Sequence, residues 1–378
     1  MDITVQTITS EGFINRPMFH PKAGLHPSGR IYMALQTIGG GDYFGPVEYS
    51  FSDDNGCSWS KPEYIDELGW KEEPRYSNAF EGVCDTVVNY DPASNSMVFL
   101  GHNVFYRNNR FMDTMGHWDQ ADYAPELRRR GCYSVLKADG SWTKRRLIDP
   151  EEFKNNACFM CGCGQRIVRG NGEWLVAFYS QIDKDHPHLF VTVYKLHFTG
   201  EEFELIEHGN ILELNNNRGL LEPQLAEFNN QVILSLRAED GCAYYSTSAD
   251  GLNFAPIKPW RYDDGALLET SSTQQHFLWD KNRLFLSYTR KNEVNSRVTR
   301  YRAPLYIARV DPEKMCLIRD TERIVFPLEG DPQQPQTVKL SGNFMPMQIK
   351  DDQWIITDGQ ELCIAPFTSE VKVAHITL

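Results

Sequence analysis

Two acidic residues of this sequence have the spacing of a paired acid and base. Glu81 and Asp85 stand four residues apart in the segment EGVCDTVV, and His102 follows in the next β-rich run. Residues four apart on a β-strand share a face, so both carboxyl groups would point to the same side. Neighbouring carboxyl groups raise the pKa of one of them, which suits an acid and a base. The alternative is that one carboxylate caps a loop and the other pairs with an arginine.

Three closely spaced cysteines invite a metal site. Cys158, Cys161 and Cys163 lie within six residues, but no second C-x-x-C pair completes a tetrahedral zinc site. A buried thiol cluster on a crowded inner strand is the favoured interpretation. His20 is interpreted as a loop histidine, and no acidic loop has the spacing of an EF-hand. We therefore expect no essential metal and no cofactor.

The elements that must position these residues are short β-strands. Helical periodicity is nearly absent, whereas β-rich runs bounded by Gly, Asn, Asp and Pro recur, among them SMVFLGH, EWLVAFY, QVILSLR, RLFLSYT and QWIITDG. Six copies of one pattern, a polar segment, a strand, a turn and a second strand, follow one another. Repetition of this kind in an all-β chain predicts a six-bladed β-propeller that occupies residues 1–378 as a single domain. The terminal segments DITVQTI and VKVAHITL could pair and close the ring.

One long aromatic-rich insertion interrupts the second repeat, at residues 105–130. Loops of this length in a compact fold are usually functional, so we expect a lid or a subunit contact. The three consecutive arginines at its end, residues 128–130, are interpreted as a solvated face.

The propeller geometry selects a set of candidate residues. The innermost strands of a propeller converge at its axis, so residues at the start of each first strand, and in the loops above it, line one pocket. The candidates selected in this way are Arg16, Asp42, Glu81, Asp85, Gln165, Glu222, Arg237, Gln274 and Arg302, with His102 beside the paired carboxylates.

Two turn segments carry the pattern that points to a family. Ser52 to Trp59 fits S-x-D-x-G-x-x-W, and Ser248 to Phe254 fits the same pattern with one residue fewer. The Asp would cap turn amides, the Gly would take a positive φ and the aromatic residue would pack between blades. The chain thereby resembles the sialidase (neuraminidase) superfamily, whose blades carry such Asp boxes, or BNR repeats, away from the pocket.

The resemblance extends in blade order along nearly the whole chain. Arg16, in Asn-Arg-Pro, stands where that family has its Phe-Arg-Ile-Pro motif, and Arg237 and Arg302 would complete an arginine triad. Arg300 and Arg297 are the alternatives to Arg302. Asp42 in GGGDYFG lies where the family keeps its acid/base aspartate, and Glu222 resembles its glutamate. Three converging guanidinium groups would grip a carboxylate through charge-assisted hydrogen bonds. The resemblance implies an acidic sugar as the ligand, and from the propeller geometry we expect Gln165, Gln274 and His102 as further substrate-binding residues.

The sequence departs from the family at the nucleophile. Sialidases use a tyrosine near the start of the last blade, but no tyrosine follows Tyr306, and Asn343 or Phe344 occupies the region. Tyr301 and Tyr245 are the substitutes that we consider. Three hypotheses remain open: an exo-acting glycoside hydrolase for acidic sugars, a lyase for uronic acid polymers that uses a His or Tyr base, and a non-catalytic sugar-binding propeller.

Charge and hydropathy exclude other classes of partner. The net charge of −13 disfavours binding along a nucleic acid, which requires clustered Lys and Arg. No run approaches the roughly 20 apolar residues of a membrane helix, and the N-terminus lacks the pattern of a signal peptide. We expect a cytoplasmic protein, or a secreted or periplasmic one if the N-terminus was trimmed, and an oligomer is left open.

Overall fold

The structure is a computed structural model that describes residues 1–270, 272–362, 364 and 366–378. Strand β1 (Asp2–Thr7) comes first. The next four strands form an antiparallel sheet in chain order: β2 (Met18–Leu25), β3 (Ile31–Thr37), β4 (Glu48–Ser52) and β5 (Glu63–Tyr64).

The largest sheet contains twelve strands: β6 (Lys71–Glu72), β7 (Ala79–Asp91), β8 (Ser96–Arg107), β9 (Arg110–Asp113), β10 (Asp122–Tyr123), β11 (Arg129–Leu136), β12 (Arg146–Ile148), β13 (Cys158–Met160), β14 (Ile167–Val168), β15 (Glu173–Gln181), β16 (Phe190–Phe198) and β17 (Phe203–His208). Within it, a short parallel pairing of β11 with β13 joins two antiparallel ladders. The ladder of β15, β16 and β17 follows this junction.

Three more sheets complete the chain. The first consists of β18 (Leu221–Phe228), β19 (Gln231–Arg237), β20 (Tyr244–Ser248) and β21 (Lys258–Pro259). The second consists of β22 (His276–Trp279), β23 (Leu284–Thr289), β24 (Leu305–Asp311), β25 (Cys316–Leu317) and β26 (Arg323–Phe326). In the last, β27 (Met345–Lys350), β28 (Gln353–Leu362) and β29 (Thr368–Thr377) pair antiparallel, and β1 pairs with β29. The predicted pairing of the two chain ends is confirmed.

The helices are single 3-10 turns in connections: Asp66–Leu68, Glu151–Phe153, Thr299–Tyr301, Arg319–Thr321 and Pro335–Thr337. Within the described ranges, no helix is long and apolar enough to cross a membrane.

The sheets are arranged as an all-β propeller. Strand β2 contacts β7 and β27, β14 contacts β7 and β18, and β22 contacts β18 and β27, so the first strands form a closed ring. Apolar side chains fill the spaces between neighbouring sheets; Leu100, Phe159 and Trp174, for example, share one buried cluster. Burial of apolar side chains between neighbouring sheets stabilises the arrangement of the first strands around the axis. The described strands form five hydrogen-bonded sheets, and the six-blade count stays a prediction.

The two turns of the S-x-D-x-G pattern follow β4 and β20. In the first, Asp54 accepts hydrogen bonds from the Ser58 amide and the Ser52 hydroxyl, both at 2.8 Å, and Trp59 is buried. In the second, Asp250 accepts from the amides of Leu252 and Asn253 at 2.9 and 2.7 Å. The carboxylate therefore replaces the partners that the turn amides would find in a strand.

Candidate functional site

A cavity of about 430 Å³ opens where the first strands and the loops above them meet. Its lining comes from distant parts of the chain, from Phe19 at the start of β2 to Asn343 just before β27. The charged side chains in its wall are Asp42, Asp85, Arg129, Arg218, Glu222, Arg237, Arg300, Arg302 and Glu361. The convergence of so many charges in a chain of net charge −13 marks this cavity as the candidate site.

Arg237, at the end of β19, is held by two fixed partners. Its Nη1 donates to Glu222 Oε2 at 2.6 Å, and its Nε and Nη2 donate to Ser272 Oγ at 3.1 and 2.8 Å. Although burial by itself raises the pKa of Glu222, the charge of Arg237 lowers it below its usual value. Glu222 is therefore an anion that fixes the orientation of the guanidinium.

Arg218 is anchored in the same way by Glu239. Its Nε donates to Glu239 Oε2 at 3.0 Å, its Nη2 donates to the other carboxylate oxygen, and its guanidinium lies 5.2 Å from the centre of the Trp118 ring. Burial opposes ionisation of Glu239, but its hydrogen bond with Arg218 brings the pKa down to about 2. Arg218 is thus a fixed positive group of the cavity wall.

Arg300 and Arg302 complete the arginine cluster, defined as residues 218, 237, 300 and 302. Arg300 makes no hydrogen bond or ion pair with the residues that the structure describes, and burial, followed by the charges of its arginine neighbours, lowers its pKa to about 10. Arg300 as a whole residue is nevertheless exposed to solvent, at the mouth of the cavity. A methyl group on Gly342 would lie 2.8 Å from Arg302 Nε, so glycine is required there for Arg302 to keep its place. The crowding favours binding of an anion.

The floor of the cavity is a compact group of histidine, carboxylate and thiol side chains. Asp85 Oδ1 lies 3.2 Å from His20 Nε2 and 2.7 Å from Cys163 Sγ, and Asp85 Oδ2 lies 3.7 Å from His102 Nε2. Cys84 Sγ lies 3.3 Å from His102 Nε2. Burial would raise the pKa of Asp85, but the charge of Lys22 and the hydrogen bond from the Cys163 thiol lower it below its usual range.

Arg129 reaches this floor from β11. Its Nη2 lies 2.6 Å from His102 Nε2, which must therefore accept the hydrogen bond and carry no proton. Burial, and then the charge of Arg129, lowers the pKa of His102 to about 3. His102 is thus a neutral imidazole with its proton on Nδ1.

Five non-glycine residues of the cavity wall adopt left-handed backbone conformations: His20 (φ 51°), Asp42 (59°), Asp85 (56°), Glu222 (41°) and Arg300 (51°). Residues with a side chain avoid this region, and each such residue costs on the order of 1–3 kcal/mol. Non-glycine residues in strained backbone conformations cluster at functional sites, because the required direction of the side chain there outweighs the cost of the strain. The strain places these five charged or titratable groups around one space.

Six of the predicted site residues line this cavity: Asp42, Asp85, His102, Glu222, Arg237 and Arg302. Asp42 lies exposed in the loop between β3 and β4, which brings a carboxyl group to the rim without burying it. Their catalytic and binding roles stay predictions.

The structure places Arg16 and Glu81 elsewhere, so the expectation that both line the pocket is wrong. Arg16 donates from both terminal nitrogens to Glu48, at 2.9 and 2.5 Å, and Phe19 and His20 enter the cavity from the first sheet instead. Glu81 accepts from Asn103 at 2.7 Å. The register of the pairing between β7 and β8 shifts between residues 84 and 87. This irregularity turns the Asp85 carboxylate away from the face of the strand on which Glu81 lies.

Gln165 and Gln274 also lie outside the cavity lining. Gln165 bridges neighbouring sheets, because its amide nitrogen donates to the carbonyl of Phe277 at 2.8 Å and its oxygen accepts from the Phe277 amide at 2.7 Å. Gln274 is buried, with its Nε2 3.5 Å from Asn343 Oδ1, and its hydrogen bond favours the ionised form of Glu222. These glutamines hold the sheets and the lining residues in position.

Sequence reasoning missed several lining residues. Arg129 is only 8% exposed, so its assignment to a solvated face is wrong; hydrogen bonds to His102 and to a backbone carbonyl bury it. Phe111, Met115 and Trp118 bring the long insertion into the cavity wall, and its role as a lid or a subunit contact stays a prediction. Phe111 lies in β9, and Met115 and Trp118 lie in the connection that follows it, so strand periodicity in the sequence does not mark them.

The tyrosine in the cavity is Tyr179, at the end of β15. Burial raises the pKa of its hydroxyl well above the usual value. Tyr245 packs in a core cluster and Tyr301 does not line the cavity, so neither substitute nucleophile is in place. Asn343 lines the cavity where the family resemblance placed a tyrosine.

The predicted thiol cluster is confirmed as buried: Cys158, Cys161 and Cys163 are each at most 1% exposed. His20 was interpreted as a loop histidine, and this is wrong, because it lies buried in β2 against Asp85. The ninth cysteine, Cys363, lies outside the described residues.

Comparison with known proteins finds likeness in structure and not in sequence. No protein-family model and no curated protein matches the chain. A protein of unknown function from Dyadobacter fermentans superposes with a TM-score of 0.66 at 13% identity and covers 99% of both chains. Trypanosoma rangeli sialidase in complex with the inhibitor DANA gives a TM-score of 0.63 at 14% identity, over 95% of this chain and 55% of that one.

A microbial sialidase, Hadza Hz136, gives a TM-score of 0.62 at 14% identity over 96% of this chain and 66% of its own. This chain therefore spans between about half and two thirds of the sialidases that it matches. At these identities the likeness shows the fold: a divergent sialidase-like β-propeller.

Proposed function

We propose that this protein is an exo-acting glycoside hydrolase of sialidase-like type that releases a carboxylate-bearing sugar from glycans. One observation carries the proposal: the arginine cluster shares one cavity with the exposed carboxyl group of Asp42 and the ion-paired Glu222. Guanidinium groups bind carboxylates in fixed, paired geometry, so the cluster would set the position of the sugar ring. A fold that hosts sialidases supports the same conclusion by analogy.

In this proposal the arginine cluster binds the sugar carboxylate, with Arg237 held ready by Glu222. Asp42, at the rim, donates a proton to the leaving oxygen as the glycosidic bond breaks, and its carboxylate then removes a proton from the water whose oxygen bonds to the anomeric carbon. Phe19, Phe44 and Phe367 of the same wall provide apolar surface for the sugar ring.

The experiment compares fluorogenic 4-methylumbelliferyl glycosides of sialic acid, glucuronic acid and galactose. We expect turnover of an acidic glycoside and none of the neutral galactoside, because the latter lacks the group that arginine binds. Arg300→Met should lower kcat/KM for the acidic sugar by roughly ten- to a hundred-fold, the value of a hydrogen bond to a charged group. Arg297→Met is the matched control, an exposed arginine three residues away that does not line the cavity.

Asp42→Asn tests the proton transfer separately. Loss of the Asp42 carboxyl group should lower kcat by about 100-fold or more, because general acid catalysis typically contributes that much. Equal turnover of the galactoside, or equal losses in Arg297→Met and Arg300→Met, would contradict the proposal.

A uronate lyase is the second candidate, favoured by Tyr179, His20 and His102, which line the same cavity as the arginines. A lyase removes the proton next to the carboxylate and leaves an unsaturated uronate that absorbs in the ultraviolet. Incubation with uronic acid polymers distinguishes the two: rising absorbance that Tyr179→Phe abolishes indicates the lyase, and fluorophore release without it indicates the hydrolase.

We also propose that the chain is one domain of six blades and that the turns at Asp54 and Asp250 are Asp boxes. The closed ring of β2, β7, β14, β18, β22 and β27 supports the count, with the twelve-stranded sheet taken as two blades. A crystal structure checks both points directly.

A further inference from the structure

We propose that Cys84, Asp85 and His102 bind a thiophilic divalent cation, of the zinc type, at the floor of the cavity. Cys84 Sγ lies 3.3 Å from His102 Nε2 and 3.8 Å from Asp85 Oδ2, and these last two atoms are 3.7 Å apart. Metal bonds of about 2.0 to 2.3 Å in tetrahedral directions separate neighbouring ligand atoms by roughly 3.3 to 3.7 Å. The three atoms therefore have the spacing of one face of such a tetrahedron.

The chemistry of the three donors selects the kind of metal. A thiolate and an imidazole nitrogen favour zinc and similar ions over magnesium or calcium, which prefer oxygen ligands. Cys84 would bind as a thiolate, and its proton would pass to solvent through the cavity. The thiolate and the Asp85 carboxylate together balance the double positive charge.

The fourth coordination position is left to the cavity, which Cys84, Asp85 and His102 all line. His20 Nε2 and Cys163 Sγ lie 3.2 and 2.7 Å from Asp85 Oδ1, the carboxylate oxygen on the other side from His102. Cys84, Asp85, His102 and His20 all line the cavity, so a ligand that enters the cavity also reaches this floor. A site of three protein ligands with one side open to a cavity has the form of a catalytic, not a structural, zinc site.

Arg129 is the group that opposes the metal. Its Nη2 lies 2.6 Å from His102 Nε2 and occupies the lone pair that the metal would take. Metal binding therefore requires Arg129 to release His102, and the two cations compete for one nitrogen. This competition predicts that removal of the guanidinium strengthens binding.

The test is a titration of the purified, chelator-stripped protein with cobalt(II), a spectroscopic substitute for zinc, followed by displacement with zinc. We expect one cobalt ion per chain and a thiolate-to-cobalt absorption band that zinc removes. Cys84→Ser should abolish the band. His102→Gln should lower the affinity by more than about 100-fold, the upper end of the loss for an outer-sphere partner.

Cys242→Ser is the matched control. The Cys242 thiol is also buried and also lies 3.8 Å from a carboxylate, that of Asp240, but it does not line the cavity. This variant should keep the band and the affinity. Circular dichroism checks that each variant folds. If Cys84→Ser does not fold, His102→Gln tests the metal site in its place.

Arg129→Gln should bind cobalt more tightly than the unmodified protein, by about ten-fold or more, since one competing charge is gone. Absence of the band, its persistence in Cys84→Ser, its loss in Cys242→Ser or weaker binding in Arg129→Gln would each overturn the proposal. None of these measurements uses a sugar, so the metal site and the glycosidase proposal fail separately.

Discussion

The cavity and the outer turns both place carboxylates beside left-handed backbone, but they do so in different ways. In the turns, Asp54 and Asp250 accept hydrogen bonds from neighbours no more than four residues away. The left-handed positions there are Asn55, Gly56 and Gly251, the residue types that adopt this conformation most easily. The turns are therefore relaxed and locally complete.

In the cavity the left-handed non-glycine positions carry charged or titratable side chains instead. Glu222 pairs with Arg237 across fifteen residues, and Asp85 meets Cys163 from the turn between β13 and β14, seventy-eight residues on. Such pairs exist only after the sheets have closed around the axis. The comparison shows that acidic residues stabilise the turns, whereas in the cavity the rest of the fold must hold the charged groups in strained positions.

The largest difference is expected when a cavity ion pair is broken. Arg237→Met leaves the Glu222 carboxylate buried without its partner, since the two side chains are only 7% and 13% exposed. We expect a loss of about 3 to 5 kcal/mol in the free energy of unfolding, as for other buried pairs. The control is Arg30→Met, whose pair with Asp53 is 39% and 57% exposed and should contribute at most about 1 kcal/mol. Equal losses by chemical denaturation would show that the two regions do not differ in this way.

The buried carboxyl group of Asp358 in β28 provides a test by pH. Both of its oxygens are buried, and burial raises its pKa from 3.8 to about 7, although hydrogen bonding with Ser341 and Gln360 opposes the rise. A raised carboxyl pKa favours the protonated folded state, so this contribution is complete below pH 3.8 and is lost as the pH rises to 7 and beyond.

Asp358→Asn should therefore match the unmodified protein in stability near pH 4 and exceed it by up to about 4 kcal/mol at pH 8. The measurement is the free energy of unfolding at both pH values. A difference that does not change with pH would mean that Asp358 is ionised throughout.

The smallest effect is expected in the turns. Asp54→Ala removes the acceptor of local amides, and we expect a loss of about 0.5 to 2 kcal/mol in stability, comparable with the loss of a helix cap. Asp53→Ala, at an exposed neighbour, should cost less. Neither change should alter hydrolysis of an acidic glycoside; a fall in kcat for Asp54→Ala would connect the turn with the cavity.

The local features of this protein could be read from its residues. Alternating β-branched and aromatic residues between Gly, Asn and Asp indicate the strands, and the S-x-D-x-G segments indicate the two turns. The pairing of the chain ends was predictable because the repeat needs a partner strand for its last sheet. Each of these features depends on neighbours in sequence or on one strand pairing.

The site was only partly predictable, because local irregularities of the backbone decide on which face of a strand each side chain lies. Spacing by four placed Glu81 and Asp85 on one face, but the shift after Cys84 separates them. Three consecutive arginines resembled a solvated face, yet Arg129 is buried against His102. The sequence does not distinguish the places of Arg16 and Arg300, because both are arginines. Only the folded chain shows that Arg16 pairs with Glu48 and that Arg300 lines the cavity.

The sequence by itself determined the class of fold and its turns, because hydrophobic alternation and turn chemistry act over a few residues. The tertiary structure decided which arginines surround the cavity and which groups meet at its floor. The reason is physical: charge, burial and distance between His20, Asp85 and His102 exist only when the ring is closed, whereas a turn amide and its Asp acceptor are neighbours from the start.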